Sequence, residues 1–542
     1  MIDQQQLAQN YSPPRQRAGV LTQPEAHRAM LRGIDKLLAA IQPTLGPRPR
    51  IVGIERGTRD TSPELLDDGA VIARRIIELP DQYENIGAML LRGMLWRLSE
   101  AVGDGTATAA VLYRTVFAEG LSYAAAGGDL TQLRRHLESG LAAIITALKS
   151  QVMPLAGTAM LADFVKSVCD DDDLAQSLTE ILEVTGALGL IDIQGGQART
   201  ARCAYFEGNF FTGGRHGAGS GAIEFEEAAL LLTDFDLKEP DAVLPVLRLA
   251  LREKIENLVV VARNVAEPVA ALFARSATSS RLRVIAAKTP GSTTLAQADA
   301  LHDLVILTGG RPLLEASGDT SNTVYPGNLG YARRVWIDKN YLSIRGGRGD
   351  LRQLRAHIAE LQKAFEAATE TDIRKGLRDR IGRLGSGFAI LYTGGSTASE
   401  IEARVAMTKR ALRTTRGALR HGILPGGGLA LLSCRDLLQR RLGESRTPDE
   451  RAACNILLKT VAAPFGALAQ NAGYEAPALL AQMEHGLPGP APFCSFDGIH
   501  DSAAAQIEAL RYAVASAALA LTVDAIVYRK LPELALRPDG AG

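Results

Sequence analysis

Apolar residues recur at helical spacing near the start of the chain. Met30, Ile34, Leu37, Leu38 and Ile41 predict one buried stripe on a helix over 25–41. Pro43 and the Gly46-Pro47 pair then end it. A further helix is expected to open at Gly105-Thr106 and run towards Gly120, and an amphipathic one spans 130–148 with Arg134 and Arg135 on its polar face. The middle of the chain changes character. Apolar runs at 229–232, 258–261, 282–286 and 304–307 read as strands and alternate with helical stretches near 244–251 and 265–274. That alternation predicts βαβ units and a parallel or mixed sheet. A charged stretch at 351–384 predicts two antiparallel helices breaking near 369–371, and a strand follows at 388–392. From residue 403 the pattern is helical again. The apolar stretch 512–527 is too short and too polar to cross a bilayer, and a buried core helix is expected there. Helical regions thus bracket an α/β middle, as in a discontinuous helical domain with an inserted one.

Composition narrows the possibilities. At about 100–200 residues per domain, 542 residues imply about three or four domains. The 60 Lys and Arg balance 60 Asp and Glu, which argues against a protein built to grip nucleic acid or an anionic membrane. Glycine is abundant, at 53 residues, and aromatics are sparse, at 5%, which suits a large α/β assembly better than a β-sandwich. The 5 cysteines form no CxxC pair, so neither a zinc site nor a secreted disulfide framework is expected. Residues 1–23 are polar and lack the apolar core of a signal peptide, so a cytoplasmic location is expected. The acidic run 170–173 lacks EF-hand spacing and reads as a solvated helix start.

The most informative segment for chemistry is Gly103-Asp104-Gly105-Thr106-Ala107-Thr108. Glycine lets a backbone approach phosphate closely. A helix N-terminus offers free N–H groups and a positive dipole. Asp104 supplies a hard oxygen for Mg²⁺, and the two threonines add hydrogen bonds. The plainer alternative is an Asp-Gly turn with a threonine cap. The chain has no Walker A sequence.

Other segments accompany it in order: Thr44-Leu45-Gly46-Pro47, Leu66-Asp67-Asp68-Gly69, Tyr83-Glu84-Asn85-Ile86-Gly87-Ala88 and Gly426-Gly427-Gly428. Together the set resembles the group I, GroEL-type chaperonins from about Gln23 to Leu531. The resemblance implies a helical equatorial domain from both chain ends (20–150 and 422–532). It implies a small intermediate domain (151–207 and 388–421) and an inserted α/β apical domain (208–387). It also implies ATP with Mg²⁺ as cofactors, K⁺ as a further candidate cation, and a homo-oligomeric ring that binds non-native or specific client proteins. Residue by residue, Thr44, Leu45, Gly46 and Pro47 match a phosphate-contacting turn. Asp104 matches the Mg²⁺ ligand and Gly105, Thr106, Ala107 and Thr108 the phosphate-binding helix start. Gly427 matches a nucleotide-contacting glycine, Asp501 the ribose-contacting acid, and Asp68 an acid near the γ-phosphate. Gly208, Gly387, Pro154 and Gly422 fall at the family's hinges.

The sequence departs from that pattern in ways that weaken hydrolysis. Arg410 stands where the family orients the attacking water with an aspartate, and a guanidinium cannot accept a proton. Asp67 stands in place of a lysine, exchanging phosphate attraction for repulsion, and Pro49 replaces a turn glycine. The adenine-side segment 487–496 is short. On the apical surface Gly213–Ser220 lacks the expected aromatics, and Ala270, Ala274 and Arg275 make the second edge small and partly charged. Leu244 and Leu247 remain, either as a client edge or as core. These changes count against general client capture and against a lid co-chaperonin. The implied function is an ATP-binding folding assistant with weakened hydrolysis. The alternative is a non-cycling paralogue acting as scaffold, holdase or subunit of another assembly. A metabolic enzyme finds no dinucleotide fingerprint or nucleophile elbow, and the 8 histidines are dispersed in sequence.

Overall fold

The computed structural model describes residues 19–46, 49–55, 63–169, 171–206, 208–216, 221–276, 281–385, 388–484 and 499–528. The chain divides into two compact units, one of Met1–Asp170 with Arg410–Gly542 and one of Asp171–Lys409. The first unit is therefore built from both chain ends, as the bracketing pattern predicts.

In the first unit the helix Glu25–Ile41 buries Met30, Ile34, Leu37, Leu38 and Ile41, the predicted stripe. It crosses the helix Gln82–Val102 at two glycines. A Cβ on Gly33 would lie 1.8 Å from the Glu84 carbonyl oxygen, and one on Gly87 would lie 2.1 Å from that of Met30. Glu84, itself buried, receives the Arg32 and Lys36 side chains, whose bonds hold its carboxyl below the ordinary range. The Glu84–Gly87 motif therefore serves helix packing. Thr106–Ala125, Leu130–Ser150, Pro448–Asn471 and Ala503–Leu521 complete one apolar core with them. Pro448–Asn471 is long and apolar enough to cross a membrane, yet 61% of its apolar 18-residue stretch is buried in the protein, as in a core helix. The 512–527 expectation needs correction. The helix ends at Leu521, and Ala525–Tyr528 is a strand paired antiparallel with Gly19–Thr22.

The second unit holds a six-stranded mixed sheet. Its order is Arg283–Lys288, Asn257–Ala262, Ile223–Leu232, Leu329–Ile337, Tyr341–Gly347 and Asn209–Thr212. The first three strands are parallel and the others antiparallel. The strand expected at 304–307 is instead the end of the helix Thr294–Thr308. A short apolar run fits either element, and here Ala300, Leu301, Leu304 and Leu307 recur at helical spacing on its buried side. The helix expected at 265–274 begins at Glu267, after a two-residue strand at Asn264–Val265. The charged stretch forms two helices, Leu351–Ala367 and Thr371–Gly385. Asp171 caps the helix Asp172–Thr185 by accepting from the Leu174 N–H, and Asp171 and Asp173 both pair with Arg404. The acidic run is thus a helix start, with Asp170 outside the described residues.

Between the helices Thr294–Thr308, Leu351–Ala367 and Thr371–Gly385 lies a polar cluster that the dispersed histidines did not reveal. Asp303, fully buried, accepts from Arg380 at 2.7 and 3.0 Å and lies 2.8 Å from His357 Nε2. Arg380 also reaches Asp299 at 3.0 Å. His302 packs edge-on against His357.

Candidate functional site

The sequence-predicted residues lie in the first unit, on the ends of helices and on turns between them. After the helix Glu25–Ile41, a 3-10 turn carries Thr44 and leads into Leu45 and Gly46. Asn471 pins this turn by donating its amide to the carbonyls of Gln42 at 2.9 Å and Leu45 at 3.0 Å. The Thr44 hydroxyl is buried and bonds the Ile41 carbonyl at 2.8 Å, so it serves the turn itself. Gly46 takes φ 131°, which side-chain-bearing residues avoid. Pro47 lies outside the described residues. Past it, Arg50 N–H returns to the Pro43 carbonyl at 3.1 Å.

Gly103 ends the helix Gln82–Val102 in a left-handed conformation, and Gly105 opens the next helix in another. No side chain caps that helix, so the first N–H groups, at Thr106, Ala107 and Thr108, lack intrahelical acceptors. A Cβ on Gly105 would press on the Ala505 carbonyl at 3.2 Å, and one on Gly103 would press on Arg413 Cβ at 2.9 Å. Between them Asp104 accepts the Gly105 N–H at 2.6 Å. Crowding by protein atoms raises the Asp104 pKa. The Gly105 bond and the Arg410 charge oppose that shift, and the Asp68 charge reinforces it.

Asp68 caps the helix Gly69–Arg75, accepting from the N–H groups of Ala70 at 2.8 Å and Val71 at 3.1 Å. Its other oxygen receives Arg410 at 3.2 Å. Arg410 also bonds both oxygens of Asp67, at 2.8 and 3.2 Å. Burial would lower the Arg410 pKa. The bonds to Asp67 and the charges of Asp67, Asp68 and Asp104 outweigh it and hold the group fully charged. The expected repulsion from Asp67 is therefore corrected, because Asp67 is neutralised inside the protein. Sequence reasoning treated positions 67 and 410 as separate losses. The available signal was that the two changes carry opposite sign.

The far wall comes from the C-terminal segment. The strands Ile423–Pro425 and His500–Ser502 pair antiparallel, setting Leu424 opposite Asp501. The Gly426–Gly428 turn follows, with Gly427 at φ 68° and Gly428 at φ 79°, and the Gly426 N–H bonds the Ile499 carbonyl. Asp501 accepts from Gln506 at 2.5 Å. Burial lifts its pKa to about 6, against the Gln506 bond, and the charge of Asp104 adds to the rise. The structure thus gathers Asp67, Asp68 and Asp104 around one guanidinium beside one uncapped helix start, with Asp501 near Asp104. An anion alone would be repelled by that excess of carboxylates. A divalent cation carrying an anion would be accepted. The shortened segment 487–496 lies outside the described residues.

In the second unit the glycine-rich segment has a steric cause. Gly213 N–H bonds the Asn340 carbonyl, Arg215 N–H that of Asp338 and His216 N–H that of Ala286. A Cβ on Gly214 would lie 1.9 Å from the Lys339 carbonyl oxygen. The segment is threaded between backbones, and residues 217–220 lie outside the described ones. Leu247 and Ala270 are half-buried against the apolar core, Leu244 is half-buried, and Arg275 is exposed. Gly208 and Gly422 take φ 111° and 80°, while Gly387 lies outside the described residues.

Residues 228–530 match the model of the TCP-1/cpn60 chaperonin family, and the chain belongs to that family. In fold it is similar to the chaperonin gp146 from the bacteriophage EL 2 (Pseudomonas aeruginosa), crystallised in the presence of ATP-BeFx. The match has 17% identity and a TM-score of 0.69, covering 94% of this chain and 99% of that one. A second crystal form of the same protein matches with a TM-score of 0.61 at 17% identity.

Proposed function

We propose that this chaperonin-family chain binds Mg²⁺·ATP at the Asp104 cluster, assembles into a ring and assists folding of a restricted set of clients, with hydrolysis weakened. The observation that carries the reading is the uncapped helix start at Gly105–Thr108 beside Asp104, with Asp501 and the Gly427 turn opposite. Under it, Asp104 ligates Mg²⁺ and the N–H groups of 106–108 meet phosphate. Thr44–Gly46, with Pro47, form the second phosphate wall, and Asp501 receives the ribose. Domains at 20–150 with 422–532, 151–207 with 388–421, and 208–387 follow, with Gly208 and Gly422 as hinges. The crystals of phage gp146 with ATP-BeFx support the nucleotide reading by analogy of fold. Asp104→Ala is expected to weaken Mg²⁺·ATP binding by about 100-fold, since it removes the metal's protein ligand. Equilibrium dialysis at fixed Mg²⁺ measures this, and unchanged binding would place the nucleotide elsewhere. Electron microscopy tests the ring, and a strict monomer at micromolar concentration sinks that part.

A specific observation favours the non-cycling alternative for the chemical step. The Arg410 clamp on Asp67 and Asp68 occupies the region where a water-orienting carboxylate is needed. A scaffold or holdase that keeps the nucleotide as a structural ligand is consistent with it.

The Asp501 shift gives a pH signature. An acid with a pKa near 6 gains its proton as pH falls through that value, and a protonated carboxyl accepts hydroxyls less strongly. ATP affinity is expected to fall about tenfold between pH 7.5 and pH 5, one charge-assisted bond's worth. Asp501→Asn is expected to flatten most of that step, and an equally steep profile in the variant rules out Asp501 as its source.

A further inference from the structure

Arg413 follows Arg410 by about one turn on the helix Ala398–His421, so the two side chains are neighbours on its surface. The Arg413 side chain runs over the loop that carries Asp104. A Cβ on Gly103 would lie 2.9 Å from Arg413 Cβ, 3.7 Å from its Cδ and 3.6 Å from its Nε. The arginine stem thus lies against the space that Gly103 leaves open, at φ 81°, immediately before Asp104. The two arginines differ in what holds their charge. Arg410, only 20% exposed, is bonded to Asp67 and Asp68. Arg413 is exposed and, among the described residues, makes no ion pair and no side-chain hydrogen bond.

A free guanidinium beside this loop has a chemical use. The carboxylates around Asp104 outnumber the charge of Arg410, and Mg²⁺ would offset only part of the charge that a nucleoside triphosphate adds. Arg410 cannot answer that charge without leaving its own carboxylates. Arg413 can, because it has no ion pair to give up, and its fork of N–H donors matches two phosphate oxygens. The plainer alternative is an arginine whose stem covers Gly103 while its head stays in water.

We propose that Arg413 is a nucleotide-binding residue that pairs with the phosphate chain of Mg²⁺·ATP, a contact that Arg410, held by Asp67 and Asp68, does not make. The proposal rests on the ATP reading and adds to it a residue from outside the Gly103–Thr108 loop.

The test is equilibrium dialysis of the full chain with Mg²⁺·ATP, in wild type, Arg413→Met, Arg413→Lys and Asp104→Ala. Methionine keeps a stem over Gly103 without the charge, and lysine keeps the charge. Arg413→Met is expected to weaken binding about tenfold or more, as for a lost charge-assisted contact, and Arg413→Lys to recover part of the loss. Added NaCl at fixed Mg²⁺ is expected to weaken binding less steeply in Arg413→Met than in wild type, because an exposed charge pair is screened by salt. Unchanged affinity in Arg413→Met overturns the proposal, and so does a loss of affinity with unchanged salt dependence, which marks a packing role. If Asp104→Ala loses ATP and Arg413→Met does not, the ATP reading stands and the Arg413 contact falls. If Arg413→Met loses ATP, with the salt dependence altered, while Asp104→Ala binds as wild type, the Arg413 contact stands and Asp104 is not the metal's ligand. If wild type binds no ATP, both fall.

Discussion

Exchanging two charges, Asp67→Lys together with Arg410→Asp, is expected to raise steady-state ATP hydrolysis about 100-fold above wild type, the lower end of what a positioned base contributes. In the native protein Arg410 bonds Asp67 twice and Asp68 once, so the guanidinium fills the space beside Asp104 and offers no acceptor. Phosphoryl transfer depends on placing the attacking water and balancing charge. A carboxylate at 410 can orient water, and a lysine at 67 can pair with it and attract phosphate. The single changes are expected to do less. Arg410→Asp alone removes the one cation that Asp67 and Asp68 share, leaving carboxylates to repel one another and the nucleotide. Asp67→Lys alone sets two cations together. The effects should therefore be strongly non-additive, as for residues in one network. Phosphate release, with ATP binding measured in parallel, decides it. If the double variant is no faster than wild type while binding ATP equally well, the clamp is not what limits turnover. If Arg410→Asp alone matches the double, residue 67 has no part in it.

That same clamp shows where sequence reading reached its limit. The helices at 25–41, 106–125 and 130–150 were legible because apolar residues at helical spacing, and glycine or proline breaks beside them, fix an element locally. The glycines at 103, 105 and 427 were legible as turns, since only glycine accepts left-handed backbone at low cost. The pairing of Asp67 with Arg410 was not, because the residues are 343 positions apart and only tertiary packing joins them. Each change read alone as damage. Together they form one neutralised contact. The same holds for Gly213 and Gly214, which read as missing aromatics and prove to be points where two backbones leave no room for a Cβ. The 304–307 run failed for a different reason. Four apolar residues fit a strand or a buried helix turn equally, and the capping Thr293, upstream of the run, decides for helix.

The largest stability effect is expected at Asp303. Its carboxylate is fully buried, with both oxygens taken by Arg380 and one also facing His357 Nε2. Taking one partner from a buried ion pair strands the other charge, at a cost of about 3–5 kcal/mol. Asp303→Ala leaves Arg380, only 14% exposed, paired with Asp299. The unfolding equilibrium of the second unit should then shift by a few hundred-fold or more. The chain's 2 tryptophans allow the effect to be localised. Trp96 lies in the first unit and Trp336 in the second. In a Trp96→Phe background, urea unfolding followed by Trp336 fluorescence should move to lower denaturant with Asp303→Ala. In a Trp336→Phe background the Trp96 signal should move little. His302, Asp303 and His357 place one ligand atom each within 4.8 Å of one another, the spacing of a metal site. Arg380 competes for that role, because a guanidinium already bonded to both carboxylate oxygens repels a cation and uses the lone pairs it needs. A chelator should accordingly leave the Trp336 transition where it is, and a Zn²⁺-dependent shift lost in His302→Ala would instead make this cluster a metal site.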